Sequence, residues 1–242
     1  VDPLRVLCNM GGSYNSTKPY QGLYASTAGG MSFGPRIVAG MTDSRRGTHS
    51  AMAYAPSSIG TRRAEKWLAI VDGRFEDGDA SVPIMASTDG WATWTQRGTW
   101  SQASFGTSAW MVGDRSSEGR FYVACGHGLI RITNAFSGTL SFTRLSGSGG
   151  LPAGGVAGRP YVSADGRTII VGTGAGIYKT VNGGTNWARV GSENGFAKLA
   201  VNPYDPAHMV LIYDQQSSQQ RPKFSVDGGA SFTPAAAGDI ER

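Results

Sequence analysis

One short motif recurs along the chain at nearly constant spacing. It reads S-T-D-G-W-A-T-W at residues 87–94, T-V-N-G-G-T-N-W at 180–187 and S-V-D-G-G-A-S-F at 225–232. A weaker copy occupies residues 26–33, and a longer, degenerate copy occupies residues 133–142. From residue 87 onward the copies begin about 46 residues apart, a length typical of repeats built from four short strands. This period constrains the fold more than any other feature of the chain.

Each repeat contains the same succession of short apolar segments. In the last repeat, residues 196–201, 208–213 and 221–225 precede the motif, and residues 231–233 follow it. Corresponding segments in the earlier repeats are separated by clusters of Gly, Asp, Asn and Pro, and no window has a helical period. Such short strands between turns indicate an all-β protein. We therefore predict a β-propeller of four-stranded antiparallel blades.

The repeats predict about five blades in a single propeller domain or propeller segment. Their approximate bounds are 1–38, 39–98, 99–146, 147–191 and 192–242. The first blade is incomplete, because residues 1–3 correspond to residues 201–203 at the end of an innermost strand. An open propeller leaves strand edges unpaired. We therefore expect the remaining part of a larger propeller, or another copy, to complete the ring; a compact five-bladed ring is the alternative.

Composition excludes several other classes. The chain is 40% hydrophobic and 16% charged, unlike a disordered polar chain. The net charge of +5 is scattered, without the basic runs typical of nucleic-acid binding. No apolar run approaches the roughly 20 residues that span a bilayer. We therefore expect no nucleic-acid partner and no membrane span, and the abundance of Ser, Thr, Gly and aromatic residues favours an extracellular or virion surface.

The few cysteines and histidines give no sign of a metal or cofactor. Cys8 and Cys125 cannot form a disulfide framework, and buried thiols are the expected state. The three histidines are far apart and have no zinc spacing. The acidic segment at residues 76–79 lacks the spacing of a calcium loop, so a surface turn is the preferred interpretation. We predict no metal and no cofactor.

The recurring motif resembles the Asp box of the bacterial neuraminidase repeat superfamily. The segment A-V-N-P-Y-D-P-A-H-M-V at residues 200–210 is similar to one found in its xyloglucanase and sortilin groups. The resemblance covers nearly the whole chain and implies the propeller fold, but that superfamily includes hydrolases, receptors and assembly factors. It also implies that the box residues are structural and lie away from the ligand. These are Ser87, Asp89, Trp94, Asn182, Gly184, Trp187, Asp227, Gly229 and Phe232.

The residue types of the motif suit a tight turn. The Asp or Asn side chain can accept backbone N–H groups across the turn. The terminal Trp or Phe can pack between sheets and anchor the hairpin. The first copy departs from the pattern, with Ala28 at the Asp position. We therefore expect that turn to lack its usual bond.

Propeller ligands usually bind over the central channel, on the loops that join second to third strands or one blade to the next. Aromatic faces there can stack on a sugar ring, and Arg can bond its hydroxyl groups. The ligand-binding candidates are Tyr14, Tyr20, Arg45, His49, Arg74, Trp100, His127 and Arg159. Internal packing explains Trp100 equally well.

Glycoside hydrolysis requires two carboxyl groups, about 5–5.5 Å apart for retention or about 6.5–9.5 Å apart for inversion. The catalytic candidates are Asp43, Asp72, Glu76, Asp77 and Asp214. The resemblance to xyloglucanases implies a catalytic Asp in an N-terminal box-like segment, where this chain has Ala28. A sialidase needs an arginine triad and a Tyr nucleophile, and the sequence contains no convincing Tyr–Glu setting.

We therefore expect a module that binds a polysaccharide, glycoprotein or other protein on its loop face, without a complete catalytic site. The alternative is a segment of a polysaccharide-degrading, xyloglucanase-like glycoside hydrolase. A purely structural role in an assembly is a third possibility.

Overall fold

A computed structural model describes residues 6–10, 22–34, 50–59, 64–71, 81–106, 108–156, 158–195, 198–213 and 221–235. These residues form one two-stranded and four four-stranded antiparallel sheets. The predicted all-β propeller architecture is confirmed. One small difference is a four-residue helix, α1 (Gln102–Phe105), where the sequence predicts none. The Ser101 side chain caps it by accepting a hydrogen bond from the Ser104 N–H at 3.2 Å.

We refer to the sheets as blades 1 to 5 in chain order. Blade 1 is described by β1 (Val6–Met10) and β2 (Gly22–Ser26). Blade 2 contains β3 (Ser50–Tyr54), β4 (Trp67–Val71), β5 (Ser81–Ser87) and β6 (Thr95–Ser101). Blade 3 contains β7 (Ser108–Gly113), β8 (Phe121–Cys125), β9 (Gly128–Thr133) and β10 (Ser141–Arg144).

The last two blades repeat this order with shorter strands. Blade 4 contains β11 (Tyr161–Val162), β12 (Ile169–Thr173), β13 (Gly176–Thr180) and β14 (Ala188–Val190). Blade 5 contains β15 (Lys198–Val201), β16 (Met209–Ile212), β17 (Lys223–Ser225) and β18 (Thr233–Pro234). In blades 2 to 5, chain order is also spatial order, so each blade is a simple meander.

The meander separates two faces of the molecule. Turns between first and second strands and between third and fourth strands lie at one end, which we call the turn face. The remaining connections lie at the opposite end, which we call the loop face. At the turn face, a backbone hydrogen bond joins the two turns of each of blades 2 to 5. Its donors are the N–H groups of Gly90, Ala135, Gly183 and Gly228, and its acceptors are the carbonyls of Glu65, Gly119, Arg167 and Ala207.

Apolar side chains fill the space between neighbouring blades. Leu68, Ile84 and Trp100 of blade 2 pack in one buried cluster with Phe121 and Val123 of blade 3. A second cluster joins blades 3 and 4, and a third joins blades 4 and 5. In blade 1, Ala25 packs against a fourth cluster on blade 2. Burial of these strand faces holds consecutive blades together.

The innermost strands of consecutive blades approach closely because two positions there are glycine. A Cβ atom at Gly113 in β7 would lie 2.3 Å from the Tyr54 carbonyl oxygen at the end of β3. A Cβ atom at Gly158 would lie 2.6 Å from the Leu199 carbonyl oxygen. Gly158 and Leu199 form a parallel bridge, so the chain enters blade 4 directly beside β15.

Two further sequence expectations bear on the described part of the chain. Cys125 is a buried free thiol, as predicted, and burial raises its pKa. The Cys8 side chain lies outside the described part of the chain, so its burial stays a prediction. In the described residues, no helix has the length and apolar character that crossing a membrane requires.

Candidate functional site

The turn motif at residues 87–94 is closed by two side chains. The buried Ser87 hydroxyl accepts the Trp91 N–H at 2.9 Å and donates to Asp89 Oδ1 at 2.8 Å. Asp89 also accepts the N–H and the hydroxyl of Thr93, at 3.0 and 2.6 Å. Burial acts to raise the pKa of Asp89, but the bonds from Thr93 and Ser87 outweigh it and lower the pKa to about 2. The carboxylate therefore remains ionised at neutral pH and stabilises the turn.

The same bonding recurs in blades 4 and 5. Asn182 Oδ1 accepts the Asn186 N–H at 2.9 Å, and Asp227 Oδ1 accepts the Ser231 N–H at 3.0 Å. Bonds from Ser231 and Ser225 lower the pKa of Asp227 to about 2. In the blade 1 motif, Ser26 Oγ accepts the N–H groups of Ala28 and Gly30, so this turn keeps its shape without a carboxylate. The aromatic ends differ in exposure: Trp94 and Trp187 are buried, and Phe232 is half-buried.

These turns also contact the preceding blade. The backbone N–H of Trp187 donates to the Gly149 carbonyl at 2.7 Å. This bond joins the blade 4 turn to the connection from blade 3. In blade 3, the turn at residues 134–140 accepts the Arg97 guanidinium of blade 2 through the Ala135 and Gly138 carbonyls, at 3.1 and 2.7 Å. The turns of blades 3 and 4 therefore contact, respectively, the preceding blade and the connection that leaves it.

Most sequence-predicted site residues fall outside the described part of the chain. This applies to all five catalytic candidates: Asp43, Asp72, Glu76, Asp77 and Asp214. It also applies to the ligand-binding candidates Tyr14, Tyr20, Arg45, His49 and Arg74. Their roles stay predictions. Trp100, His127 and Arg159 are described.

Trp100 is a packing residue, which corrects its prediction as a ligand-binding residue. Its side chain is 1% exposed, and its indole N–H donates to the Gly106 carbonyl at 2.8 Å. The ring of Phe105 lies 4.7 Å from the Trp100 ring, centroid to centroid, and Phe142 contacts it edge-on. Because α1 brings Phe105 over the indole, no face of Trp100 is open to a sugar.

His127 and Arg159 are exposed at the loop face, as a ligand-binding role requires. His127 lies in the tight turn between β8 and β9, and its backbone N–H donates to the Phe105 carbonyl at 3.1 Å. Arg159 follows Gly158 at the entry to blade 4. The two side chains lie on different blades.

An exposed tryptophan that the sequence analysis does not single out lies on the innermost strand of blade 3. Trp110 in β7 is 42% exposed, whereas the next residue, Met111, is buried. Ser108 pairs with Cys125 and Trp110 pairs with Ala124, so Ala109 is an extra residue in a β-bulge. Bulges change the direction in which a side chain points. The Lys198 Nζ of β15 lies over the Trp110 ring, 5.9 Å from its centroid.

A second cluster at the loop face joins blades 4 and 5. The Glu193 carboxylate accepts the Tyr213 hydroxyl, and the Lys223 Nζ lies 2.9 Å from both carboxylate oxygens. Lys223 also lies over the Tyr213 ring, 5.3 Å from the centroid. The sequence gives no sign of this Tyr–Glu contact, because Tyr213 and Glu193 are 20 positions apart and meet only in the folded chain.

The charge states of Glu193 and Tyr213 make both side chains unsuitable for catalysis. Burial acts to raise the pKa of Glu193, but the bonds from Tyr213 and Lys223 lower it overall. Burial and the nearby Glu193 both raise the pKa of Tyr213. The carboxylate is therefore held ionised and the phenol held protonated, so Glu193 is a poor proton donor and Tyr213 a poor nucleophile.

Metal-ligating residues do not cluster in the part of the chain that is described. No three of its His, Cys, Asp or Glu side chains come close enough together to hold an ion.

Comparisons with known proteins support the fold. No family model and no curated protein matches the chain. A GH74 enzyme from Niastella koreensis matches with a TM-score of 0.59 and 16% identity, over 99% of this chain and 49% of that one. The GH74 xyloglucanase from Xanthomonas campestris has a TM-score of 0.59 and 16% identity, over 86% and 34%. An ancestral GH74 enzyme has a TM-score of 0.60 and 19% identity, over 90% and 31%.

The chain is a β-propeller. At these identities the likeness concerns the fold alone, since one propeller architecture supports many unrelated functions. The propeller spans about half of the first of these solved structures and about a third of the other two.

Proposed function

We propose that this propeller is a module that binds a glycan on its loop face and has no complete catalytic site of its own. The observation that carries the proposal is the exposed Trp110 ring on an innermost strand, with Lys198 above it; Arg159 follows Gly158, which bridges Leu199, the residue after Lys198. An indole face offers an apolar platform for the C–H face of a sugar, and amine and guanidinium groups donate to its oxygens.

Among the described residues, no two carboxylates form an opposed pair at the loop face, and the five catalytic candidates lie outside those residues. Seven of the described acidic residues lie in turn-face turns: Glu65, Asp89, Asp114, Glu118, Asp165, Asp205 and Asp227. At the loop face, the described residues include only Glu193, which is bound to Lys223 and Tyr213. A glycosidase needs two opposed carboxyl groups.

We also infer that the chain belongs to the Asp-box propellers. Support comes from the shared bonding of the turns at Asp89, Asn182 and Asp227, in which one side-chain oxygen accepts the N–H four residues later. The alternative function, a segment of a xyloglucanase-like hydrolase, depends on Asp43, Asp72, Glu76, Asp77 or Asp214.

Binding and turnover assays on one panel separate these functions. The panel contains xyloglucan, other β-glucans and sialylated glycans, with reducing ends measured for turnover. We expect binding without turnover, and Trp110→Ala to weaken binding at least about tenfold, or about 1.4 kcal/mol. Tyr204→Ala removes an aromatic ring that is 89% exposed on the turn face and is the matched control. Turnover abolished by Asp43→Ala or Asp72→Ala would instead establish the hydrolase.

Completion of the ring stays a prediction. The face of blade 5 turned away from blade 4 exposes Ile212 and Phe224, at 47% and 44%, and exposed apolar faces of this kind are commonly covered. The solution mass tests this: a stable assembly larger than 25.4 kDa supports another copy, and a cooperatively unfolding monomer of that mass supports a self-closed ring.

A further inference from the structure

The described charges are distributed unequally between the two faces. Along the turn face, basic and acidic residues occur in equal numbers. At the loop face, the described acid is Glu193, which Lys223 already neutralises. The other described charges there are all cations: Arg144, Arg159, Arg189, Lys198 and Arg221. Among the described residues, strand direction thus places an excess of cations at the loop face, and the acidic candidates Asp43, Asp72, Glu76, Asp77 and Asp214 lie outside those residues.

Strand register places two of these cations on one side of the innermost strands. Gly158 bridges Leu199, so these two residues share a side, and Leu199 is 2% exposed in the core between blades 4 and 5. Alternation along a strand then directs Arg159 and Lys198 to the opposite, exposed side. Neither has an acidic partner among the described residues.

The Trp110 ring adds an apolar surface to this pair of cations. Its β-bulge turns the indole outward, and Lys198 Nζ over the ring shows that a cation reaches the same surface. An ammonium group above an exposed indole gains little, because water competes for it. A ligand carboxylate would offer Lys198 a stronger, charge-assisted hydrogen bond while leaving the ring free for stacking.

We propose that the Trp110 site takes a carboxylated sugar, a uronic-acid residue of an acidic polysaccharide. The sugar's C–H face stacks on Trp110, and its carboxylate is bound by Lys198 and Arg159. This inference rests on the proposed glycan-binding function and narrows it to one class of glycan.

The test compares a trisaccharide of galacturonic acid with its carboxyl-reduced counterpart, in which each carboxylate is replaced by a neutral hydroxymethyl group. Binding to the full chain is followed by calorimetry and by tryptophan fluorescence. We expect carboxyl reduction to weaken binding at least about tenfold, and 0.5 M NaCl to weaken binding of the acidic sugar only.

Three variants locate the contact. Lys198→Gln and Arg159→Gln are each expected to weaken binding of the acid at least about threefold while leaving the reduced sugar unaffected. Arg221→Gln removes an exposed loop-face cation outside the proposed site and is expected to have no effect. Equal losses in all three variants would indicate diffuse attraction and overturn the inference.

The outcomes also separate this inference from the proposed function. Equal binding of acidic and reduced sugars, abolished by Trp110→Ala, would overturn the carboxylate assignment and leave glycan binding intact. Binding of neither sugar, together with no binding to the polysaccharide panel, would overturn both.

Discussion

Arg120 Nη1 donates to Asp114 Oδ2 at 3.2 Å, and the carboxylate that accepts this bond has no exposed surface. Asp114 also accepts the N–H and hydroxyl of Ser116, at 2.8 and 2.7 Å. Gly166 of blade 4 packs directly on this group, since a Cβ atom there would lie 2.8 Å from Asp114 Oδ1. An ion pair with a buried carboxylate and a partly exposed guanidinium thus lies where the turn of blade 3 meets that of blade 4.

Removal of the cation is expected to destabilise the fold. In Arg120→Met the aliphatic volume is largely kept, but Asp114 loses its charged partner inside the protein. We expect a loss of about 2 kcal/mol in the free energy of unfolding, measured by urea denaturation. Arg167→Met removes an exposed arginine and should change stability by less than about 0.5 kcal/mol. Equal effects of the two substitutions would contradict a structural role for the Arg120–Asp114 pair.

The close approach of β3 and β7 makes Gly113 intolerant of a side chain. In Gly113→Ala the methyl group would meet the Tyr54 carbonyl at 2.3 Å and the Pro56 ring at 2.7 Å. Neither neighbour is a flexible side chain, so the strands must separate, at a cost of about 1–3 kcal/mol. Gly174→Ala, which meets nothing within 4 Å, is the control and should be nearly neutral. Thermal unfolding of both variants checks this, and unchanged stability of Gly113→Ala would exclude tight packing of the innermost strands.

The low pKa of Asp89 predicts acid-dependent stability. Its folded pKa of about 2 lies below the ordinary 3.8, so the stabilisation is fully present above about pH 4 and is lost as pH falls through 2. We expect Asp89→Ala to lower the free energy of unfolding by about 1 kcal/mol at pH 6, through lost hydrogen bonds. The difference between wild type and variant should shrink at pH 2.5.

The blade 1 turn offers the reciprocal variant. Ala28→Asp supplies the carboxylate that the Ser26 turn lacks, and a gain of about 0.5 kcal/mol at pH 6 is expected if the turn can bond as the blade 2 turn does. A loss of stability would show that the Ser26 turn cannot accommodate the carboxylate.

The Glu193–Lys223 pair predicts pH dependence at both extremes. The lowered pKa of Glu193 makes its contribution full above its ordinary 4.5 and lost as pH falls below that. The bond to Glu193 raises the pKa of Lys223, so that contribution is full below its ordinary 10.5 and lost as pH rises beyond it. We expect Lys223→Met to lower the melting temperature at pH 7. We also expect the melting temperature of the variant to fall less steeply than that of the wild type as the pH is lowered. An equally steep fall of the melting temperature at low pH in the variant and the wild type would contradict coupling between Glu193 and Lys223.

The turn motif allowed the strands to be predicted because its requirements are local. Ser87, Asp89 and Thr93 satisfy one another within seven residues, so their spacing alone predicts the turn and the strands on either side. The exposure of the two tryptophans of the loop-face region does not follow from local spacing. Trp100 and Trp110 both lie in strands, but α1 covers the first and a bulge exposes the second.

The sequence by itself determined the repeat, the strand order and the bonding of the turns, because these depend on residues close together in the chain. Only the tertiary structure decided which side chains are available at the loop face. Lys198 reaches Trp110, and Glu193 reaches Tyr213 and Lys223, through the packing of separate strands and blades. Exposure and electrostatic pairing depend on neighbours that are distant in sequence, and no local pattern specifies them.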